Sequence, residues 1–528
     1  AGVDGCRLTL HGPCREPVLR HASDRALRET VFRAKAALCG ADGPADRNNG
    51  PLMQEMVALR AEQARLLGHA DYASLSLATK MARDPAEVEK FLVDLARRAR
   101  PAAEAELAGL RRFAADALGL PELEPWDRDF AAERLKQHRH GIGDEQIRPY
   151  FPAPHVLQAC LQLLGELFDL RFVPEPEAPG WHPEVRMLRL ERGTDALGHL
   201  AVDLHARPGK QAGAWIDEAT HRWRRPDDGA LQRPLAYLVC NFPPPDGARP
   251  ALLTHDDLIT LLHEFGHALH HLLTQVEELS LSGISGVEWD AAELPSQLME
   301  NFGWEWSVLQ RLSRHVDSGE PLPRELFDRL RGARTFGSGL RLLRHVEYSL
   351  FDLRLHGAAA AGRPVAAIAA DVRREVSLFD DPHGLAYPNS FTHVFDGGYA
   401  AGYYGYAWAE VLAADAYGAF KDSGPFDATT GRRWREAVLE TGGSRPAMDS
   451  FVAFRGRPPR IDAFLRQHGL LERQAALGQM GIDDNAVGRE ALKAWARALR
   501  PVRSDMEKAA QTLGRLKLIG GDRRGCGA

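Results

Sequence analysis

Apolar residues recur every three to four positions along most of the chain, which is the period of a helix with one buried face. Before residue 120 this pattern covers four segments: residues 24–39, residues 52–67, a long segment that begins at Asp84-Pro85, and residues 103–118. Ser23 is the expected cap of the first segment. It returns after Asn301 in four segments, at 302–315, 323–334, 339–355 and 364–378, and residues 380–390 are expected to form a loop. The pattern therefore predicts a mainly α fold.

Between residues 185 and 242 the period changes to short stretches that favour strands, separated by Gly, Asp and Pro turns. The predicted strands are residues 185–190, 198–205, 213–216 and 235–242. They form a small sheet, and 213–216 is our choice for an exposed edge to which an extended peptide backbone could pair. An ordinary core strand is the alternative interpretation of the same residues.

One apolar helical segment contains His263-Glu264-Phe265-Gly266-His267. Positions four apart share a helix face, so His263 and His267 can present two imidazole nitrogens to a single ion, with Glu264 beside them. Such a spacing also arises by chance from packed or solvated histidines. The buried helical context favours the zinc-hydrolase arrangement, in which a metal ion activates a water molecule.

A tetrahedral catalytic zinc needs a third protein ligand and one open position. The next helical pattern, residues 289–301, is rich in carboxylates, and Glu293 is our choice. The remaining candidates are Glu277, Glu278, Glu288, Asp290 and Glu300. Asp290 and Glu300 are better suited to orienting an imidazole N–H than to binding the ion.

A second stretch, residues 391–406, holds four of the ten tyrosines within eight positions. It brings together a histidine, two glycines and three tyrosines spaced four and three apart: His393, Gly397, Gly398, Tyr399, Tyr403 and Tyr406. The tyrosine spacing predicts one helical face of phenol donors, which could stabilise negative charge that develops on a substrate oxygen. Core packing is the alternative, and it is our interpretation of Tyr404.

Composition narrows the class of protein. At 528 residues with a net charge of -6, the chain shows no sign of nucleic-acid or membrane binding. Six cysteines lack paired spacing, which predicts reduced thiols and excludes a thiolate metal site. With no basic and apolar leader over residues 1–8, a cytoplasmic protein is expected.

Three segments resemble the thimet oligopeptidase family of zinc metallopeptidases, and its bacterial branch most closely. They are His-Glu-Phe-Gly-His-Ala-Leu-His at 263–270, Ser-Gly-Ile-Ser-Gly at 282–286, and Glu-Leu-Pro-Ser-Gln with Met-Glu-Asn at 293–301. Weaker matches extend the resemblance from about residue 8 to residue 470. The resemblance implies a zincin-type fold, in which a small β-sheet lies next to the HExxH helix and helical lobes flank a deep substrate channel.

The resemblance also implies roles for individual residues. One zinc ion per chain is expected on His263, His267 and Glu293, with Glu264 as the general base. In the aromatic segment, the resemblance implies that His393 and Tyr406 stabilise the oxyanion. It implies that four residues bind substrate: Tyr399, Tyr403, Gly397 and Gly398. The implied protein is a monomer that hydrolyses internal bonds of short oligopeptides.

Three regions are predicted: a partial N-terminal helical lobe at 1–150, the catalytic region at 151–470, and a helical extension of unknown role at 471–528. Family members are longer at the N-terminus, so helices that wall one side of the channel are expected to be missing. Two other functions stay open. One is a dipeptidyl carboxypeptidase, in which Arg455 or Arg457 holds the terminal carboxylate of the substrate. The other is an inactive remnant that binds peptides.

Overall fold

The computed structural model of the protein describes residues 8–379 and 387–471. Helices dominate this part of the chain, as the apolar period predicts. In chain order they are α1 (Gly12–His21), α2 (Arg25–Ala36), α3 (Gly50–Leu66), α4 (Tyr72–Leu77), α5 (Pro85–Leu118), α6 (Arg128–His140), α7 (Asp144–Ile147), α8 (Ala153–Phe168), α9 (His255–Leu272), α10 (Leu294–Glu300), α11 (Trp306–Leu312), α12 (Arg324–Gly332), α13 (Ser338–Leu355), α14 (Val365–Val376), α15 (Thr392–Phe395), α16 (Gly405–Ser423), α17 (Ala428–Trp434), α18 (Ala447–Arg455) and α19 (Asp462–Gln467).

Two details of the N-terminal helices differ from the prediction. The cap of α2 is Asp24 and not Ser23, because the Asp24 carboxylate accepts hydrogen bonds from the amides of Ala26 and Leu27. The two segments expected around residue 101 form one helix of 34 residues, α5, with Pro101 inside it. Its buried face continues through this proline, since Ala99, Ala102 and Ala103 are all buried. Packing along α13 therefore outweighs the backbone hydrogen bond that the proline cannot make.

The predicted strands form one mixed sheet, to which the structure adds a strand that the sequence pattern missed. The strands are β1 (Arg171–Pro174), β2 (Arg186–Arg192), β3 (Asp195–His205), β4 (Trp215–Thr220), β5 (Trp223–Arg224), β6 (Leu231–Gln232) and β7 (Leu235–Phe242). The sheet has the order β1-β2-β3-β7-β4, in which β7 runs parallel to β3 and antiparallel to β4. β4 therefore lies at an edge of this sheet, while β5 and β6 pair with each other.

Helix α9 lies at the centre of the fold, against β7 and β4 of the sheet on one side and α10 on the other. Its apolar side chains Leu258, Leu261, Leu262 and Phe265 are completely buried. Complete burial of a Leu or Phe side chain stabilises a fold by roughly 1.5–3 kcal/mol, so this helix is firmly held. The central position therefore fixes the helix that carries His263 and His267.

Several further predictions concern the chain as a whole. Cys14, Cys39, Cys160 and Cys240 are free thiols, as expected from their spacing. Across residues 8–379 and 387–471, no helix has the length and apolar character that crossing a bilayer requires. The division into regions 1–150, 151–470 and 471–528 stays a prediction. The predicted loop at 380–390 lies partly outside the described residues. The predicted extension at 471–528 lies outside them except for residue 471.

Candidate metal centre

The helix that carries the histidine pair begins at a well-defined cap. The Thr254 hydroxyl accepts a hydrogen bond from the amide of Asp257 at 3.0 Å, and the Asp257 carboxylate accepts one from the amide of Thr254 at 2.8 Å. This reciprocal capping box satisfies amides that have no partner within the helix, and its carboxylate complements the helix dipole. The start of α9, and with it the direction of its side chains, is thereby fixed.

The glycine of the pentapeptide lets the next helix approach. A Cβ atom on Gly266 would lie 2.6 Å from the carbonyl oxygen of Pro295, so any other residue would push α10 away from α9. The residue just before α10 is Glu293, whose side chain is 3 % exposed. Close packing at Gly266 therefore delivers this carboxylate to the face of α9 that carries His263 and His267.

The three predicted ligands meet at one point. The Nε2 atoms of His263 and His267 lie 3.2 and 3.1 Å from the same oxygen, Oε2 of Glu293. One ligand atom from each of the three residues lies within 4.8 Å of the others. The imidazole rings are nearly perpendicular, at 76°, with their centroids 4.9 Å apart.

The hydrogen bonds of His263 are compatible with a cation among these atoms. The Nδ1 atom of His263 donates a hydrogen bond to Oε1 of Glu300 at 2.7 Å, as predicted for a residue that orients the ring. In the neutral tautomer, Nε2 of His263 then carries a lone pair, which faces the anionic Oε2 of Glu293. Two acceptors at 3.2 Å repel each other unless a positive charge lies between them.

Two histidine nitrogens and one carboxylate oxygen are the donor set of many catalytic zinc sites. Burial alone would favour the neutral acid form of Glu293, but the neighbouring imidazoles of His267 and His263 hold its pKa well below the usual range. Its other oxygen, Oε1, accepts a hydrogen bond from the Tyr399 hydroxyl at 2.6 Å, and the Ser296 hydroxyl donates to Oε2 at 3.1 Å. Glu293 is thus an anion whose position is set by two hydroxyl groups.

Glu264 lies on the same helix and differs from Glu293 in having a free oxygen. Its side chain is buried, and Oε2 has no hydrogen-bond partner. Burial raises the pKa of Glu264 above its ordinary value, against the opposing charges of His263 and His267. A raised pKa brings a carboxylate nearer to the range in which it can both accept and return a proton.

The tyrosine segment does not form the predicted helical face. Tyr399 and Tyr403 lie in irregular turns before α16, and only Tyr406 belongs to that helix. Ala401 has a positive φ of 50°, which is incompatible with a continuous right-handed helix. The assumption of 3.6-residue spacing across this segment is therefore wrong.

A buried aspartate, Asp352 on α13, gives the turn its shape. Its carboxylate accepts hydrogen bonds from the backbone amides of Ala401, Gly402 and Tyr403 at 2.8–2.9 Å. Within a helix these three amides would donate to backbone carbonyl oxygens of the preceding turn. Here they donate to one carboxylate, so the segment forms a tight turn. Sequence reasoning missed Asp352; its signal was a single acid within the otherwise apolar run Leu350-Phe351-Asp352-Leu353.

The turn still brings the predicted rings together. Tyr406 stacks on Tyr399 with centroids 5.0 Å apart, and it lies 5.3 Å from Tyr403 and 6.1 Å from His393. Burial raises the pKa of Tyr403 to about 12 and raises that of Tyr406 as well, so both phenols keep their protons at neutral pH. Gly397 and Gly398 are exposed in the same turn, next to His393.

Other sequence candidates have different partners. Asp290 does not orient an imidazole: its carboxylate accepts hydrogen bonds from the amides of Met81 and Ala82 and from the hydroxyl of buried Tyr404. Glu288 accepts a hydrogen bond from the amide of Ala447, and Glu277 pairs with Arg222 and Arg224. These residues are occupied in holding neighbouring segments together.

Comparison with known proteins agrees with this site. The model of peptidase family M3 matches residues 18–470. Oligopeptidase A of Salmonella typhimurium is 44% identical over 472 residues, which cover 88% of this chain and 69% of the relative. The Escherichia coli enzyme of the same name is 44% identical over 473 residues, with 89% and 69% covered.

Among solved structures, PZ peptidase A with an inhibitor superimposes with a TM-score of 0.56 over 88% of this chain and 71% of that chain. The two sequences are 17% identical, so this likeness concerns the fold. The mainly helical fold with its small mixed sheet, the converging His-His-Glu group and the family match all agree. The chain is a metallopeptidase that belongs to peptidase family M3.

Proposed function

We propose that the protein is a zinc-dependent endopeptidase that hydrolyses internal bonds of short oligopeptides. The observation that carries this proposal is the meeting of His263, His267 and Glu293 at one point, with the free buried carboxylate of Glu264 on the same helix. The 44% identity to proteins named oligopeptidase A supports oligopeptides as the substrate class.

His263, His267 and Glu293 would hold one zinc ion per chain. A bound zinc ion polarises a carbonyl group and lowers the pKa of water towards neutrality. Oε2 of Glu264 accepts a proton from the attacking water and delivers it to the nitrogen of the leaving amine. The raised pKa of this carboxylate favours that return of the proton.

The aromatic segment would act on the other side of the scissile bond. The hydroxyl of Tyr406 and the imidazole of His393 donate hydrogen bonds to the carbonyl oxygen as negative charge develops on it. Tyr403, with Gly397 and Gly398, contacts the substrate backbone. Tyr399 differs from the others because its hydroxyl is already bound to Glu293, so we assign it to positioning that ligand.

An extended peptide can be held at the edge of the sheet. β4 pairs with β7 through one side only, so a further strand could pair along its other side. Backbone hydrogen bonds of this kind bind many peptide sequences, which suits an enzyme that degrades mixed oligopeptides.

A dipeptidyl carboxypeptidase was the alternative function, with Arg455 or Arg457 holding the terminal carboxylate of the substrate. The contacts of these two arginines do not support it. Arg457 makes two hydrogen bonds of 2.6 Å to Asp415, and Arg455 lies 3.5 Å from the same carboxylate. A guanidinium paired in this way is not available to bind the terminal carboxylate of a substrate. This pairing favours the endopeptidase.

The test uses an internally quenched oligopeptide in two forms, with a free and with an amidated C-terminus. We expect the full chain to cleave both at the same internal bond, to lose activity on treatment with a zinc chelator, and to regain it with zinc. Cleavage of the free form alone, with release of dipeptides, would identify a carboxypeptidase. Bound zinc without cleavage of either form would identify a peptide-binding protein.

A further inference from the structure

A second cluster of metal-ligating side chains follows the first along α9. It consists of Glu218 on β4, His221 just after that strand, and His271 in the last turn of α9. One ligand atom from each lies within 4.8 Å of the others. His271 follows His267 by four residues and so continues the same helix face. Within residues 8–379 and 387–471, these two clusters are the groups with this property.

The two clusters have nearly the same geometry. Oε2 of Glu218 lies 2.9 Å from Nε2 of His221 and 3.2 Å from Nδ1 of His271. The matching distances in the first cluster are 3.1 and 3.2 Å. Ligand atoms about 2.0–2.1 Å from a tetrahedral ion are separated by roughly 3.3 Å, so both clusters have the dimensions of a metal site.

Hydrogen bonding leaves the second cluster in need of a positive charge. Nε2 of His271 donates to the carbonyl oxygen of Thr220 at 2.9 Å, so in the neutral ring Nδ1 carries a lone pair. This side chain is completely buried, and neither its Nδ1 nor Oε2 of Glu218 has a hydrogen-bond partner. A lone pair facing a carboxylate at 3.2 Å is unfavourable unless a cation lies between them.

We propose that Glu218, His221 and His271 form a second binding site for a divalent transition metal of the zinc class. Two imidazoles and one carboxylate suit zinc and its neighbours better than calcium or magnesium, which prefer oxygen ligands alone. The side chains of Glu218 and His221 are 27% and 24% exposed, which gives the ion a path from solvent. The ion joins the edge strand β4 to the C-terminal end of α9.

The rim of the site also contains Ser285, whose hydroxyl lies 3.0 Å from Nε2 of His221. Binding of an ion to this nitrogen exchanges that hydrogen bond for a metal bond. Ser285 belongs to the loop between α9 and α10, so the site lies where strand, helix and loop meet. A metal bound by Glu218, His221 and His271 links the end of β4 to α9, two segments that are distant in sequence, and restrains them together.

The test is metal stoichiometry of the full chain, which does not depend on turnover. Metal-free protein is titrated with Zn²⁺ against a chromophoric chelator, and the bound metal is counted by mass spectrometry after desalting. We expect two equivalents for the wild type, one for His221→Gln, one for His263→Gln and none above background for the double variant. His199→Gln, which removes a histidine on β3 that faces Glu175, is the matched control and should bind two.

Binding of one equivalent of zinc by the wild type, or of two by His221→Gln, would overturn the proposal. The positive charge between the ligand atoms of the cluster would then be a proton. The circular dichroism spectrum of each variant shows whether it is folded. The wild-type count decides the matter even if a variant fails to fold. Loss of peptidase activity with two equivalents still bound would count against the proposed function alone.

Discussion

Glu300 provides a quantitative test of how the metal centre is held. Its Oε1 accepts the hydrogen bond from Nδ1 of His263 at 2.7 Å, which orients the ring and leaves Nε2 free for the metal. Removing such a partner of a ligating histidine typically weakens metal binding by about 10- to 100-fold. Because the Glu300 side chain is 35% exposed, water can replace part of the interaction, and we expect the lower part of that range.

Two substitutions give graded effects. Glu300→Ala removes the acceptor and should raise the dissociation constant for zinc by about 10- to 30-fold, or roughly 1.4–2 kcal/mol. Glu300→Gln keeps an acceptor oxygen and loses only the charge. A hydrogen bond to a charged group exceeds a neutral one by about 1 kcal/mol, so this variant should lose about fivefold.

The assay is competition for zinc with a chelator of known affinity. A matched control exists in Glu410, which bonds His468 at 2.8 Å with side-chain exposures of 35% and 19%, against 35% and 20% for Glu300 and His263. Glu410→Gln should leave zinc affinity unchanged. Wild-type affinity in Glu300→Ala, or an equal loss in Glu410→Gln, would refute the assigned role.

Three further predictions follow from other contacts. Tyr399→Phe removes the 2.6 Å hydrogen bond to Glu293 and should weaken zinc binding about tenfold in the chelator assay. Tyr406→Phe should lower kcat by about 10²- to 10³-fold with little change in KM and unchanged zinc affinity, and an unaltered kcat would exclude it as an oxyanion donor. Asp203→Asn removes the negative charge that pairs with the buried ammonium of Lys210, which should cost about 3–5 kcal/mol at pH 7 in thermal unfolding.

The same aspartate gives a pH dependence. Burial alone would raise the pKa of Asp203, but hydrogen bonds from Arg207, Lys210 and Trp181 hold it well below the ordinary value. The stabilisation is therefore complete above the unfolded pKa of about 4 and is lost as pH falls towards the folded pKa. The difference in Tm between wild type and variant should narrow from pH 5 to pH 3, and a constant difference would contradict this linkage.

The sequence was most informative where one local rule decides the structure. The HExxH spacing and the apolar residues around it are sufficient to predict α9, and the choice of Glu293 from five other acids followed from ligand chemistry and family resemblance. An edge strand at 213–216 was likewise predicted, and the observed edge strand, β4, overlaps it at Trp215 and Ile216 and continues to Thr220. These features depend on the period of the chain or on the needs of a metal ion.

Predictions failed where distant residues determine the backbone. The tyrosine turn takes its shape from Asp352, about 50 residues earlier, and no local spacing reveals those three amide hydrogen bonds. The role of Asp290 was wrongly predicted for the same reason, because its partners Met81 and Ala82 lie in the segment that connects α4 to α5. The second cluster was also missed, since Glu218 and His271 are 53 positions apart in the sequence.

Glu264 is assigned the proton transfer, while His263, His267 and Glu293 are assigned to the metal. Glu264→Gln keeps the shape of the buried side chain and removes its basicity, so it should bind as much zinc as the wild type and lose at least about 10³-fold in turnover of the quenched peptide. Zinc content and peptide hydrolysis measured on the same preparation of this variant separate these two roles. Unchanged zinc with turnover near the wild-type rate would contradict the role of Glu264.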